Sequence, residues 1–338
     1  MIKIELDKHI KSQIEQLHLK FFNDKLLPKL DRFIITKKLK TNEQSKEEHS
    51  FLLYLRENHK QILFGTPQQH QKIILHIHKN FSPQLRDNIK RSKTKKSKAS
   101  DLNKELKAVF NYDLFCRADN INEWCAYQLL DKINIQVCPY CNRQYITTIY
   151  TQGQKTRAQL DHFFDKATYP YLAISIYNLV PSCSVCNTSL KGQKKFYVNT
   201  YIHPYIDSFG DKYRFTFEMA DNIESLITKK GKINIRLRSN TKDPIFERKA
   251  QNNAEAFLLE PLYNEHSFIV KETLQKHIWY SEDYAESLLK SYPGVFNNKD
   301  EILRMVFNTE LEENNFNQRP FSKLITDISK ELQIRGWA

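Results

Sequence analysis

The sequence predicts an α+β protein: a mainly helical chain around a small metal-centred module, with short antiparallel strands in its C-terminal part. Three observations predict this. Apolar residues recur at three-to-four spacing through the first and last thirds of the chain. Two Cys-x-x-Cys pairs, Cys138 with Cys141 and Cys183 with Cys186, bracket the middle. Two short runs, YRFTFEM and INIRLR, alternate apolar and polar residues with the period of a strand. The chain therefore divides into a helical N-terminal region over 1–130, the metal-centred module over 131–200, and a mostly helical C-terminal region over 201–338 with a short β-hairpin.

Within the N-terminal region, Ile10, Ile14, Leu17 and Phe21 share one helical face, and Leu52, Leu55 and Ile62 continue the pattern. FGTPQQ interrupts it, with Pro67 suited to the first turn of a new helix through Ile73, Ile74 and Ile77. KRSKTKKSK follows, with Lys90, Arg91, Lys93, Lys95, Lys96 and Lys98 and no apolar residue. Such a run is either a solvated loop or a segment that contacts phosphates or a partner. Ser100 or Asp101 is placed to cap the helix LNKELKAVF, and NEWCAYQLLDK predicts another, with Trp124 and Cys125 on its buried face. Beyond 200, the YRFTFEM and INIRLR strands flank the turn signal TKKGK. Helices are then expected over AEAFLLEPLY, SFIVKETLQKHIWY, DYAESLLKSY and FSKLITDISKELQI.

The 338 residues carry a formal net charge of +13, which favours a polyanionic partner because clustered Lys and Arg release counterions when they neutralise phosphates. Only seven glycines are present, and neither G-x-x-x-x-G-K-[ST] nor G-x-G-x-x-G occurs, which argues against an intrinsic ATPase or a dinucleotide enzyme. Four of the six cysteines fall in the two pairs, a usage that fits metal binding in a reducing compartment rather than a disulfide framework. MIKIELDKHI intersperses charges among its apolar residues, and no apolar run approaches the ~20 residues of a membrane span. A cytoplasmic location is expected.

A two-residue gap lets a tight turn present two thiolates to one metal, and two such pairs complete a closed tetrahedral zinc site. The insertion between them, 142–182, is longer than the roughly 15 to 20 residues of a simple zinc ribbon. It holds Asp161, His162 and Asn178, and Asn187 directly follows the last cysteine. His162 is the one histidine between His78 and His203. Cys116 and Cys125 lack metal-ligand spacing and are expected to be ordinary thiols; His203 and His266 are expected to be structural.

In order, CPYC, LDHF, YNLVP and CSVCNTSLK resemble the zinc-containing branch of the HNH, or ββα-metal (His-Me finger), endonucleases, and within it the stretch DHFFDKATYPYLAISIYNLVPSCSVCNTSLKG resembles the PtuB-like HNH nucleases of Septu and retron anti-phage defence systems. The resemblance implies a ββα-metal core: a β-hairpin followed by a helix gripping one divalent cation, stapled by a structural zinc on Cys138, Cys141, Cys183 and Cys186. It implies that His162 is the general base, that Asp161 and Asn187 hold a catalytic Mg²⁺ or Mn²⁺, and that Asn178 ties down the loop bearing the histidine. Many relatives carry His where this chain has Asn187, whose amide oxygen is a hard, neutral ligand suited to Mg²⁺ or Mn²⁺.

That chemistry asks for these residue types. A neutral imidazole can take a proton from water near pH 7, and a cation stabilises charge on the phosphate and the leaving oxygen. On a regular strand Asp161 and His162 point to opposite sides, so one can hold metal while the other faces water. Lys191 follows Asn187 by one turn, as a phosphate contact or a plain surface lysine.

The expected function is hydrolysis of phosphodiester bonds in DNA, as the nuclease effector of an anti-phage system. By the same resemblance a PtuA-like ATPase would be its partner. An RNA (tRNA) nuclease, or a zinc-stapled nucleic-acid or protein binding module with an inactive centre, are the alternatives.

Overall fold

The structure is a computed structural model and describes residues 1–90, 100–117, 122–151, 153–219, 233–280 and 282–333. The N-terminal region is helical, with α1 (Lys8–Lys25), α2 (Leu27–Lys38), α3 (Glu43–Glu57), α4 (His59–Phe64), α5 (Pro67–Asn80), α6 (Pro83–Ile89), α7 (Asp101–Val109), α8 (Tyr112–Cys116) and α9 (Ala126–Ile133). Side-chain caps set many of the starts. Asp7, Asn42, Thr66, Ser82, Ser100 and Asn111 each accept a hydrogen bond from a backbone N–H in the first turn. Thr66 and Gln69 form a reciprocal capping box ahead of Pro67, and Ile73, Ile74 and Ile77 are buried as the periodicity requires. Ser100 caps α7 by accepting from Asn103 N at 3.1 Å.

Two expectations here need correction. Leu17 is exposed, and its neighbour His18 is buried instead; Trp124 Nε1 donates to His18 Nδ1 at 3.0 Å, giving that face of α1 a polar anchor rather than an apolar one. Trp124 and Cys125 are buried but precede α9, whose first residue is Ala126.

In the middle of the chain β1 (Ile149–Tyr150) pairs with β2 (Lys155–Thr156), and β3 (Gln159–His162) pairs antiparallel with β4 (Leu179–Ser182). Asp161 lies opposite Val180 and His162 opposite Leu179. A wide helical segment, Val185–Lys191, follows β4. Its Gly192 N to Asn187 O bond of 2.9 Å spans five residues, a bulged geometry found often at functional sites.

The C-terminal hairpin forms as its alternation predicts: β5 (Tyr213–Met219) pairs with β6 (Ile233–Ser239), setting Phe215 opposite Leu237 and Phe217 opposite Ile235. TKKGK falls on residues 228–232, outside the described residues. The open edge of β6 is covered by helix side chains, since Ile235 N donates to Asn264 Oδ1 and Leu237 N to Glu260 Oε1, both at 2.7 Å. AEAFLLEPLY is not one helix. It breaks at Leu258, whose φ of 46° is left-handed, between α10 (Pro244–Ala256) and α11 (Leu259–Asn264). Then come α12 (Ser267–Trp279), α13 (Glu282–Ser291), an unanticipated α14 (Lys299–Phe307), and α15 (Ser322–Gln333).

One hydrophobic cluster runs from Met1 through the module to Ile328, so the three stretches pack against one another. Among the described residues no helix is long and apolar enough to cross a membrane.

Candidate functional site

Cys138, Cys141, Cys183 and Cys186 are buried, and their sulfurs all lie within 4.8 Å of one another. Tetrahedral bonds of about 2.3 Å to one ion would set sulfurs about 3.8 Å apart, so this cluster can hold a metal such as zinc. The first pair sits on a turn closed by Asn142, which adopts a left-handed φ of 48° that asparagine tolerates better than most residues. Asn142 is also a tether. Its Nδ2 donates to Phe316 O at 2.7 Å and its Oδ1 accepts from Lys323 N at 2.9 Å, binding the turn to the C-terminal region. Burial pushes the Cys138 thiol up, whereas hydrogen bonds from Cys138 and the other two thiols pull Cys183 far down.

Beside this cluster, a cavity of about 330 Å³ is bordered by Asp161, His162, Asn187 and Lys191, with Tyr112, Arg157 and Lys166 among its other walls. Asp161 is 3% exposed and His162 8%. The strand does send the two side chains to different partners, but both border the same cavity, and His162 does not stand in open water. Asp161 Oδ2 accepts from Tyr140 Oη at 2.6 Å, and Oδ1 accepts from Lys191 Nζ at 2.8 Å. Tyr140 lies within the first Cys-x-x-Cys, so the metal-binding turn and the carboxylate are directly linked.

The His162 ring has one fixed tautomer. Nε2 lies 2.9 Å from Ala173 O; a carbonyl only accepts, so Nε2 carries the proton and Nδ1 is the basic nitrogen. Tyr112 packs its ring edge-on at 4.6 Å. Burial, reinforced by the positive charge of Lys166, lowers the imidazole pKa to about 3, so the ring is neutral at pH 7.

Asn178 is fully buried and spends its amide on the loop after the histidine. Oδ1 accepts from Phe164 N at 2.7 Å, and Nδ2 donates to Phe164 O at 3.1 Å and Leu172 O at 2.9 Å. Asn187 Nδ2 donates to Gln159 Oε1 at 2.9 Å, which turns the Asn187 amide oxygen away from Gln159.

Lys191 is neither a surface lysine nor placed as a free phosphate contact. It is buried between Asp161 Oδ1 and the His162 carbonyl, 2.6 Å away, with its ammonium 5.1 Å from the Phe196 ring centroid. The wide turn at Val185–Lys191 directs the side chain inward. Lys90 pairs with Asp87 at 2.9 Å, and Arg91, Lys93, Lys95, Lys96 and Lys98 lie outside the described residues.

Sequence reasoning missed Tyr112, Tyr140, Arg157 and Lys166. No local pattern marks them, although Tyr140 lies inside CPYC and Lys166 follows LDHF by three residues. His203 is buried with its ring 4.1 Å from Phe163, and His266 Nε2 accepts from Arg143 Nη1 at 2.8 Å; both serve the fold.

Comparison with known proteins yields one partial similarity. The chain is 40% identical over 72 residues to protein ea31 of Escherichia phage lambda, covering 21% of this chain and 21% of that protein. The chain thus matches about one fifth of the length of that relative. No family model and no solved structure matches.

Proposed function

We propose that the chain is an HNH-type nuclease hydrolysing phosphodiester bonds of nucleic acid, DNA in the first place, with His162 as general base. The observation that carries this reading is the His162 ring itself: neutral, locked by Ala173 O, with Nδ1 as its proton acceptor at a cavity lined by cationic side chains. Supporting it, β3 and β4 followed by the Val185–Lys191 segment give two antiparallel strands and a helical turn, and Asn178 ties down the loop after the base. Four adjacent cysteines suit a structural zinc.

The residues also fit a hard divalent cation, Mg²⁺ or Mn²⁺. Asp161 keeps lone pairs beyond its two hydrogen bonds, the Asn187 amide oxygen is free of Gln159, and the cavity has room for the waters such ions retain. When bound, the cation would supply positive charge to the phosphate and leaving oxygen. His162 Nδ1 takes a proton from water as the water oxygen bonds to phosphorus and the bond from phosphorus to the 3′ oxygen breaks. Ala173 O holds the ring, and Asn178 holds the loop on which it sits.

One observation favours the alternative, a binding module with an inactive centre: the Lys191 ammonium already neutralises Asp161. Incubation with supercoiled plasmid and with tRNA under Mg²⁺ or Mn²⁺ decides between them. Nicking that His162→Ala abolishes, with zinc content and fold intact, is the expected result. Salt-dependent binding without cleavage of either substrate would instead establish the inactive module. A role in anti-phage defence beside a PtuA-like ATPase extends the same reading, and coexpression with neighbouring reading frames followed by co-purification tests it.

A further inference from the structure

The cavity beside His162 carries an imbalance of charge that the proposed ligands do not use. Three cations border it, Arg157, Lys166 and Lys191, against two carboxylates, Asp161 and Asp165. Both carboxylates are engaged elsewhere. Asp161 is paired with Lys191. Asp165 closes its own turn, accepting from Ala167 N and Thr168 N at 3.0 Å and from Thr168 Oγ1 at 2.7 Å.

Arg157 and Lys166 therefore have no carboxylate within ion-pair distance among the described residues. Aromatic rings hold them instead. Lys166 Nζ lies 4.1 Å from the Tyr112 ring centroid, and the Arg157 guanidinium carbon 5.6 Å from that of Tyr127, while Arg157 Nη1 donates to Ala158 O at 2.9 Å. Tyr112 is shared: it supports Lys166 and packs edge-on against His162, so α8 brings a residue of the N-terminal region to the wall of the site.

We propose that Arg157 and Lys166, with Tyr112 as their platform, form a subsite for a phosphodiester phosphate of nucleic acid. Both cations border the cavity, and Lys166 is exposed and Arg157 half-buried, whereas Lys191 is buried against Asp161. Tyr112 is a positioning residue: its ring meets Lys166 and His162, and its hydroxyl contacts Arg157. The identity of the anion rests on the nuclease reading; the presence of an anion subsite does not.

Binding of a fluorescein-labelled DNA duplex, measured in EDTA across a series of salt concentrations, separates the two. Lys166→Ala and Arg157→Ala should each weaken binding about 3- to 10-fold and lower the slope of log affinity against log salt by about 0.9, the value for one lost phosphate contact. Tyr112→Phe, which keeps the ring beside Lys166 and loses the hydroxyl contact to Arg157, should bind more weakly than wild type and more tightly than Tyr112→Ala. Unchanged affinity and slope in Lys166→Ala and Arg157→Ala, with binding of inorganic phosphate also unchanged, would overturn the subsite, even if plasmid nicking proceeds. Weakened binding in those variants would sustain it, even if the wild type cuts nothing and the nuclease reading fails. If the two variants lose binding of inorganic phosphate but not of DNA, the ligand is free phosphate and the nucleic-acid assignment is overturned.

Discussion

Tyr140 Oη donates a 2.6 Å hydrogen bond to Asp161 Oδ2, so a residue inside the first Cys-x-x-Cys turn holds the carboxylate of the neighbouring cavity. The cysteine cluster and the candidate catalytic residues are thereby one mechanical unit. The Tyr140 ring stacks on Phe257 at 4.4 Å, which fixes the direction of its hydroxyl.

Tyr140→Phe keeps that stack and removes the donor. Asp161 Oδ2 then loses its partner in a buried place, at a cost of about 1–3 kcal/mol. Urea denaturation should show the loss while metal analysis shows unchanged zinc. An equal fall in zinc content would mean that the hydroxyl serves the cysteine site rather than Asp161.

Lys191→Met addresses the buried ion pair directly. Both side chains of the Lys191–Asp161 pair are almost inaccessible, and removing one partner of such a pair costs about 3–5 kcal/mol because a charge is left buried alone. Adding Asp161→Asn should restore part of that stability, and the coupling in the double-mutant cycle measures the pair. Strict additivity would show that the two groups do not interact.

Metal removal should unfold the centre of the molecule. Purified protein is expected to hold one zinc per chain, and a strong chelator or Cys141→Ala should lower the melting temperature and broaden the transition, since apo thiolates repel and the turn closed by Asn142 loses its anchor. Zinc-free protein with an unchanged melting curve would argue for four plain buried thiols.

Acid should destabilise the N-terminal region through two buried histidines. His18 is satisfied only as the neutral ring, with Nε2 donating to Ile174 O at 2.8 Å and Nδ1 accepting from Trp124. His70 Nε2 donates to Ile62 O at 3.1 Å. Burial lowers both pKa values to about 4, whereas the unfolded chain takes up its protons near about 6.5. The unfolded state therefore binds more protons between those values, and stability present above pH ~6.5 is lost as the pH falls toward ~4, by about 3 kcal/mol for each ring. Urea midpoints measured down that range should fall, and the fall should be smaller in His18→Gln and His70→Gln variants. A flat profile in the wild type would show that the rings protonate without opening the fold.

Local covalent spacing made much of the architecture legible. Thr66, Pro67 and Gln69 mark the start of α5 because capping depends on residues three apart. The alternation around Phe215 and Ile235 locates the hairpin because a strand's faces repeat every two residues. The break at Leu258 escaped notice, since the apolar spacing continues across it and the left-handed turn there carries no glycine.

By itself the sequence determined where the four cysteines and the pair Asp161–His162 stand, because a two-residue gap and a strand neighbour are relations along the chain. Only the tertiary structure decided that Lys191 is spent on Asp161, that Tyr140 joins the cysteine turn to the cavity, and that Tyr112 and Lys166 meet beside His162. Those are distances through space between segments far apart in the chain. Which charges cancel, and which remain to meet an anion, depends on them: electrostatic energy follows separation and burial, and neither is written in the order of residues.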